Sequence, residues 1–348
     1  MSRALQVGVI GLGAMGRHHA RAWGEVPGVE LVAVADAEAR TVERTTRGRT
    51  LKGFTDSDAM LGEVALDAIS IAVPTNRHEE IAVAAMERGI AVLIEKPLAG
   101  DAASARRIIA CAERTGAVAT VGHIERFNPA VLELERRLAE EPLGRLFQIK
   151  SRRTGPLAAR IRDVGVTIDL ATHDLDIMRH AVGSPVTRVY AETAQRVHST
   201  HEDLFIGLLR FANDVVGLLD INWLTPTKIR ELSVAGERGM FVVDYLEQNL
   251  TFYENSEADP NFDPLSVVSG VSEGNMVRFA IPRVEPLRAE LDAFAAAVRG
   301  EAPPGVPLRD GLAAVLLAEI ALTSAREGRT IAVDEAQLLS AVPVSPSP

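Results

Sequence analysis

The chain has 348 residues, 47% of them hydrophobic and 24% charged, with a formal net charge of −10. That length suffices for two domains, and so acidic and aromatic-poor a composition argues against nucleic acid or an anionic membrane as a partner. No apolar run approaches the roughly 20 residues needed to span a bilayer, no signal peptide precedes the first strand, and Cys111 is the only cysteine, so the expectation is a cytoplasmic protein with no membrane segment, no disulfide and no thiolate metal cage.

In chain order, Val7–Ile10 reads as a buried strand, Gly11-Leu12-Gly13-Ala14-Met15-Gly16 follows it, and Arg17–Trp23 reads as a helix. A second apolar run, Leu31–Ala35, ends in Asp36. Together these make a dinucleotide-binding fingerprint in which every part has a mechanical task. Gly11 permits the tight turn, Gly13 lets backbone approach a pyrophosphate, and Gly16 lets the helix pack on the strand. Leu12, Ala14 and Met15 complete the run, whose helix N-terminus offers N–H groups to phosphate. Asp36 accepts hydrogen bonds from ribose hydroxyls and repels a 2′-phosphate, so the expected cofactor is NAD.

Further strands are expected at 67–73, 90–94 and 117–121, separated by helical stretches such as 77–88 and 101–115. Strands alternating with helices imply a parallel sheet covered on both faces. In such a sheet the ligand crevice lies beyond the carboxyl ends of the strands. Pro74, Thr75, Asn76 and His78 follow one strand and Glu95 and Lys96 end another, so all are expected to face the dinucleotide. The chain has only four lysines, Lys52, Lys96, Lys150 and Lys228, against 33 arginines, which adds interest to Lys96.

The pattern then changes. A connecting helix is expected at 129–141, then strands at 145–152, 186–192, 203–211, 215–223, 231–235 and 240–244. Strands in succession imply an antiparallel or mixed sheet with one face open, a common oligomer interface. One helix, Thr167–Ala181, interrupts them and carries Asp169 and His173 four residues apart, on one face. A carboxylate one turn from an imidazole can orient it and raise its basicity. With no second histidine one turn beyond His173 and no HExxH, no metal is expected. Residues 255–275 read as a long loop, 286–299 and 309–326 as closing helices. The expected organisation is α/β: a dinucleotide-binding Rossmann domain over 1–123, a substrate-binding and oligomerisation domain over 124–338, and a disordered Pro/Ser-rich tail over 339–348.

The fingerprint, Pro74-Thr75 with His78, Glu95-Lys96-Pro97 and Asp169-x-x-x-His173 resemble the Gfo/Idh/MocA family of oxidoreductases, and the likeness extends to Glu285-Pro286-Leu287-Arg288-x-Glu290-Leu291. Ala171 stands where that family often has glycine in Asp-x-Gly-x-His, and the spacing is kept. The resemblance implies a Rossmann domain followed by an α/β domain with a large, mostly antiparallel sheet, a dehydrogenase of sugar-like secondary alcohols with Lys96 and His173 catalytic and Asp169 beside them, and homodimers or homotetramers formed through that second sheet. Three stretches, Val121–Pro129, Arg160–Gly165 and Asn222–Lys228, are similar to the UDP-N-acetylglucosamine 3-dehydrogenases of the family. They imply a sugar-nucleotide substrate and bring His123 and Arg126 into the expected pocket. A pyrophosphate needs cations, and Arg152, Arg153, Arg160 and Arg162, between the first strand of the second domain and the His173 helix, are the candidates. The alternatives are an inositol or free-sugar dehydrogenase, a redox-assisted glycosidase, and a non-catalytic sugar or cofactor sensor. Retention of both Lys96 and His173 weighs against the last.

Overall fold

The computed structural model describes residues 3–140, 143–157, 164–256 and 272–340. It forms two compact units: Met1–Phe127 with Glu285–Leu316 and Gln337–Pro348, and Asn128–Val284 with Leu317–Ala336. The return of Glu285–Leu316 to the first unit departs from the sequence-based boundaries. Its physical reason is apolar: Leu287, Leu291, Phe294 and Ala295 are buried in one core with Val7, Val9 and Trp23.

The first unit holds β1 (Leu5–Ile10), β2 (Val29–Ala35), β3 (Lys52–Phe54), β4 (Ala68–Ile71), β5 (Ala91–Glu95) and β6 (Ala119–Gly122). Their order is β3-β2-β1-β4-β5-β6, every pairing parallel. This is the doubly wound dinucleotide-binding order, with its switch point between β1 and β4. Strands β4 and β5 are buried along their whole length, because helices cover both faces. Those helices include α1 (Ala14–Ala22), α2 (Ala39–Thr46), α3 (Ser57–Glu63), α4 (His78–Met86) and α5 (Ala102–Thr115). Helix α5 starts where Asp101 accepts a 2.7 Å bond from the Ser104 N–H and stops at left-handed Gly116, both ends as the sequence requires. Trp23 is fully buried and donates its indole N–H to Ser70 Oγ at 2.8 Å, so its polar atom is satisfied.

The second unit contains α6 (Pro129–Glu140), β7 (Leu146–Pro156), α7 (Thr172–Val182), β8 (Val186–Ala194), β9 (Leu204–Phe211), β10 (Val216–Asn222), β11 (Leu224–Gly236), β12 (Gly239–Asp244), β13 (Asn249–Ser256), β14 (Ser272–Arg278) and β15 (Ile331–Ala332). Their sheet runs β14-β13-β12-β11-β7-β10-β9-β8-β15. Strands β7 and β10 pair in parallel and the other described pairs are antiparallel. On β9, Phe205, Gly207, Leu209 and Phe211 are buried while Leu208 between them is exposed, so one sheet face is packed and the other open. Gly217 of β10 is part of the packed face: a Cβ there would lie 2.9 Å from the terminal methyl of Met178 on α7.

Part of the loop expected at 255–275 is strand: β13 reaches Ser256 and β14 begins at Ser272 and pairs with it; 257–271 lie outside the described residues. The chain closes with α8 (Pro286–Val298), α9 (Leu308–Glu327) and α10 (Glu335–Ser340). The expected disordered tail falls, from 341, outside the described residues. No described helix is long and apolar enough to cross a membrane.

Candidate active site

The glycine run sits where β1 turns into α1. Gly11 has φ +89°, and a Cβ on it would lie 2.5 Å from the Ala72 carbonyl oxygen; a Cβ on Gly16 would lie 1.7 Å from the Gly11 carbonyl oxygen. Neither position admits a side chain, whereas a Cβ on Gly13 would meet nothing within 4 Å. The first turn of α1 has no side-chain cap, so its N–H groups remain for an anion. Asp36 is held from two sides: its carboxylate accepts from Leu12 N at 2.6 Å and from Glu38 N at 2.8 Å. A carboxylate has about four acceptor sites, which leaves two for ribose hydroxyls. Gly11, Gly13, Asp36, Val73, Pro74 and Arg77 help to line a cavity of about 610 Å³ beyond the strand ends, the position at which this topology binds dinucleotides. A buildable cradle, a free helix N-terminus and an oriented carboxylate fit NAD. Thr75 is half-buried and Asn76 exposed in the turn after Pro74. Arg77, which the motif reading did not single out, lines the cavity and pairs with Glu80 at 2.8 Å.

Two residues expected to face the dinucleotide turn inward. His78 is 1% exposed, its Nδ1 3.0 Å from the Pro97 carbonyl oxygen and its Nε2 3.0 Å from that of Val73. It tethers the loops after β4 and β5 to one another, and burial pushes its pKa down despite those backbone bonds. Glu95 is also buried, its carboxylate 2.7 Å from His19 Nε2 and 3.3 Å from the Lys96 N–H. Burial alone would raise its pKa, but the bond to His19 and the charges of His19, Lys96 and His78 hold it below the usual carboxylate value. Lys96 itself is half-buried, immediately before a cis Pro97.

In the second unit Asp169 lies in a π-helical turn, Thr167–Ala171, that leads into α7, and His173 lies in the first turn of α7. Both are half-buried. The wider turn departs from the uniform α-helix expected here, and such turns concentrate at functional sites. Glu202 anchors its start: its carbonyl oxygen accepts from Val166 N at 2.9 Å and its carboxylate from Thr167 N at 3.2 Å. Gly165 makes room for it, since a Cβ there would fall 2.1 Å from that carboxylate.

Of the four arginines expected to bind phosphate, the two described ones, Arg152 and Arg153, have partners within the second unit. Arg153 is 4% exposed, donates through Nε to Asp174 at 2.6 Å, and lies 5.3 Å from the Tyr245 ring centroid. Asp174, fully buried, also accepts from Ser151 Oγ at 2.5 Å, so this cluster ties β7 to α7. Arg152 lies on the opposite, open sheet face, 3.5 Å from Asp220. Arg126 is buried in the first unit and pairs at 3.0 Å with Asp310, in the first turn of α9, and His123 is buried as well. Arg160 and Arg162 lie outside the described residues. Among the described residues no group of three or more His, Cys, Asp or Glu is arranged to hold a metal ion.

Residues 5–123 match the Gfo/Idh/MocA oxidoreductase family, NAD-binding Rossmann fold, and residues 136–333 match the C-terminal alpha/beta domain of the same family. The UDP-N-acetylglucosamine 3-dehydrogenase of Acidithiobacillus ferrooxidans is 28% identical over 91% of this chain and 97% of its own length. A solved structure of that enzyme superposes with a TM-score of 0.82 at 26% identity, covering 97% of this chain and 99% of its own. Inositol 2-dehydrogenase 2 of Saccharopolyspora erythraea is likewise 28% identical, over 95% of this chain and 96% of its own. A Bordetella pertussis dehydrogenase, solved with NADH and UDP-GlcNAcA, shares the fold with a TM-score of 0.80 at 22% identity, covering 95% of this chain and 99% of its own. The chain belongs to the Gfo/Idh/MocA oxidoreductase family and is an NAD(P)-dependent dehydrogenase acting on CH–OH groups.

Proposed function

We propose that the protein oxidises a sugar nucleotide, UDP-N-acetylglucosamine, at C3 to the 3-keto sugar, using NAD. The observation that carries the substrate is the end-to-end similarity to a UDP-N-acetylglucosamine 3-dehydrogenase, which leaves 9% of this chain and 3% of the relative unmatched. NAD rather than NADP is supported by the fixed carboxylate of Asp36, which disfavours a 2′-phosphate. Equal identity to an inositol 2-dehydrogenase supports a second reading, oxidation of a free cyclitol.

Bound nicotinamide supplies the hydride acceptor. His173 takes the hydroxyl proton, Asp169 orients it, and the Lys96 ammonium hydrogen-bonds the carbinol oxygen and stabilises its developing negative charge. The open sheet face, which exposes Leu208, Tyr253 and Met276, is the surface through which a homodimer or homotetramer would form. The single cysteine, Cys111, is buried, in keeping with a cytoplasmic setting.

The test is NAD reduction with UDP-N-acetylglucosamine, UDP-glucose, myo-inositol, glucose and glucose 6-phosphate. The expected result is saturable turnover of UDP-N-acetylglucosamine, lowered on the order of 10²–10⁴-fold in His173→Ala and in Lys96→Ala. Turnover of inositol with none of the nucleotide sugars establishes the second reading instead. Near-normal turnover in either variant removes that residue from the mechanism.

A further inference from the structure

The closing motif of the first unit contains a residue that the reaction above does not use. Glu290 on α8 is 2% exposed, and neither of its carboxyl oxygens has a hydrogen-bond partner among the described residues. An ionised carboxylate is costly in such a place, and native proteins rarely leave one there without a reason. Helix α8 packs on α1, which carries His19, and the residues flanking Glu290, Leu287 and Leu291, share a core with Leu93, two positions before Glu95; the charge that acts on Glu290 there is that of Glu95, itself buried, bonded to His19 and next to Lys96. His19 is fully buried, and its Nδ1 also has no partner among the described residues. Two carboxyls and one imidazole are thus gathered in the dry interior at the Glu95-Lys96-Pro97 turn. Carboxyls sharing such a site do not both ionise, and their titrations are coupled.

We propose that Glu290 is a positioning residue for Lys96: it keeps its proton, leaves Glu95 as the one anion of the cluster, and so commits Glu95 to His19 and to the Lys96 ammonium. The proposal rests on the reading of Lys96 as a catalytic residue. The surrounding charges are otherwise occupied. On α8, Arg288 pairs with Asp292. On α1, Arg17 and His18 face solvent and Arg21 is spent on Glu25 and Glu285. The turn Ile124–Phe127, packed on α8, brings Glu125 and Arg126, the latter paired with Asp310. Burial first, and the negative charge of Glu95 second, push the Glu290 pKa well above the usual carboxylate value. When pH rises far enough to remove that proton, a second buried anion competes for His19 and Lys96.

Glu290→Gln mimics the protonated carboxyl and cannot ionise. Two profiles are measured on the full-length enzyme, wild type and Glu290→Gln: kcat/KM against pH, and thermal midpoint against pH. The expected kinetic result is an alkaline limb displaced upward by about one pH unit in the variant. The expected stability result is a gain in the variant that grows as pH rises above the ordinary carboxylate value. An acid whose folded pKa is raised loses stability through that window, and glutamine does not. The thermal profile does not depend on catalysis, so it reports the Glu290 proton even if Lys96→Ala retains turnover and the catalytic reading fails. Superimposable thermal profiles would overturn the protonated state. A thermal difference with unshifted kinetic limbs would overturn the link to Lys96.

Discussion

Asp174→Asn separates a structural from a substrate-binding role for Arg153. Arg153 and Asp174 are both almost completely buried, and their 2.6 Å bond is joined by the 2.5 Å bond from Ser151. Replacing Asp174 removes the carboxylate 2.6 Å from a buried guanidinium, and breaking a buried pair from one side costs about 3–5 kcal/mol. At roughly 2–4 °C per kcal/mol for a protein of this size, the thermal midpoint should fall by about 6–20 °C. Arg153→Met should fall comparably, and Arg153→Met/Asp174→Leu should recover most of the loss, because an apolar pair of similar volume removes both buried charges. The assay is thermal denaturation at neutral pH beside steady-state kinetics for each variant. A loss below about 1 kcal/mol in Asp174→Asn would show that the Arg153–Asp174 pair does not hold β7 to α7. So would an Arg153→Met variant of native stability whose KM for a sugar nucleotide rises sharply, since that is the behaviour of a phosphate ligand.

Two further outcomes are expected. Asp36→Ser removes the carboxylate that accepts from Leu12 and Glu38 and should narrow the preference for NAD over NADP; wild-type enzyme that already uses both equally would contradict this. Glu133 on α6 is bonded by Arg136 and Arg137, first by Arg136, and its carboxyl is held down to about 2 from the ordinary 4.5. A depressed acid stabilises the fold above its unfolded pKa and loses that contribution as pH falls through its folded one. Glu133→Gln should therefore lower the thermal midpoint at pH 7, by a margin that closes toward pH 2; an undiminished margin there would show that the ion pairs are not its cause.

The cofactor site was legible because its requirements are local. The glycines at 11 and 16 are imposed by backbone only a few residues away or on the adjoining strand, and local geometry is what a motif records. The direction of His78 and Glu95 was not legible. Glu95 turns inward because His19, 76 positions away in sequence, meets it, and His78 because Pro97 and Val73 offer it carbonyl oxygens. The three-residue β3 is too short to show a period, and β13 and β14 are polar enough near Ser256 and Ser272 to read as loop; partner strands hold them. The arginine cluster was partly decidable. Successive residues of a strand point to opposite faces, so Arg152 and Arg153 cannot both face α7, and the structure puts Arg153 on that side.

The central claim, oxidation at C3 of UDP-N-acetylglucosamine, is tested most directly with substrate carrying deuterium at C3 and unlabelled NAD. The expected result is saturable turnover in which the deuterium appears in the reduced nicotinamide, with a 3-keto sugar nucleotide as product. Reduced cofactor without deuterium, or no turnover of this substrate beside saturable oxidation of inositol, would contradict it.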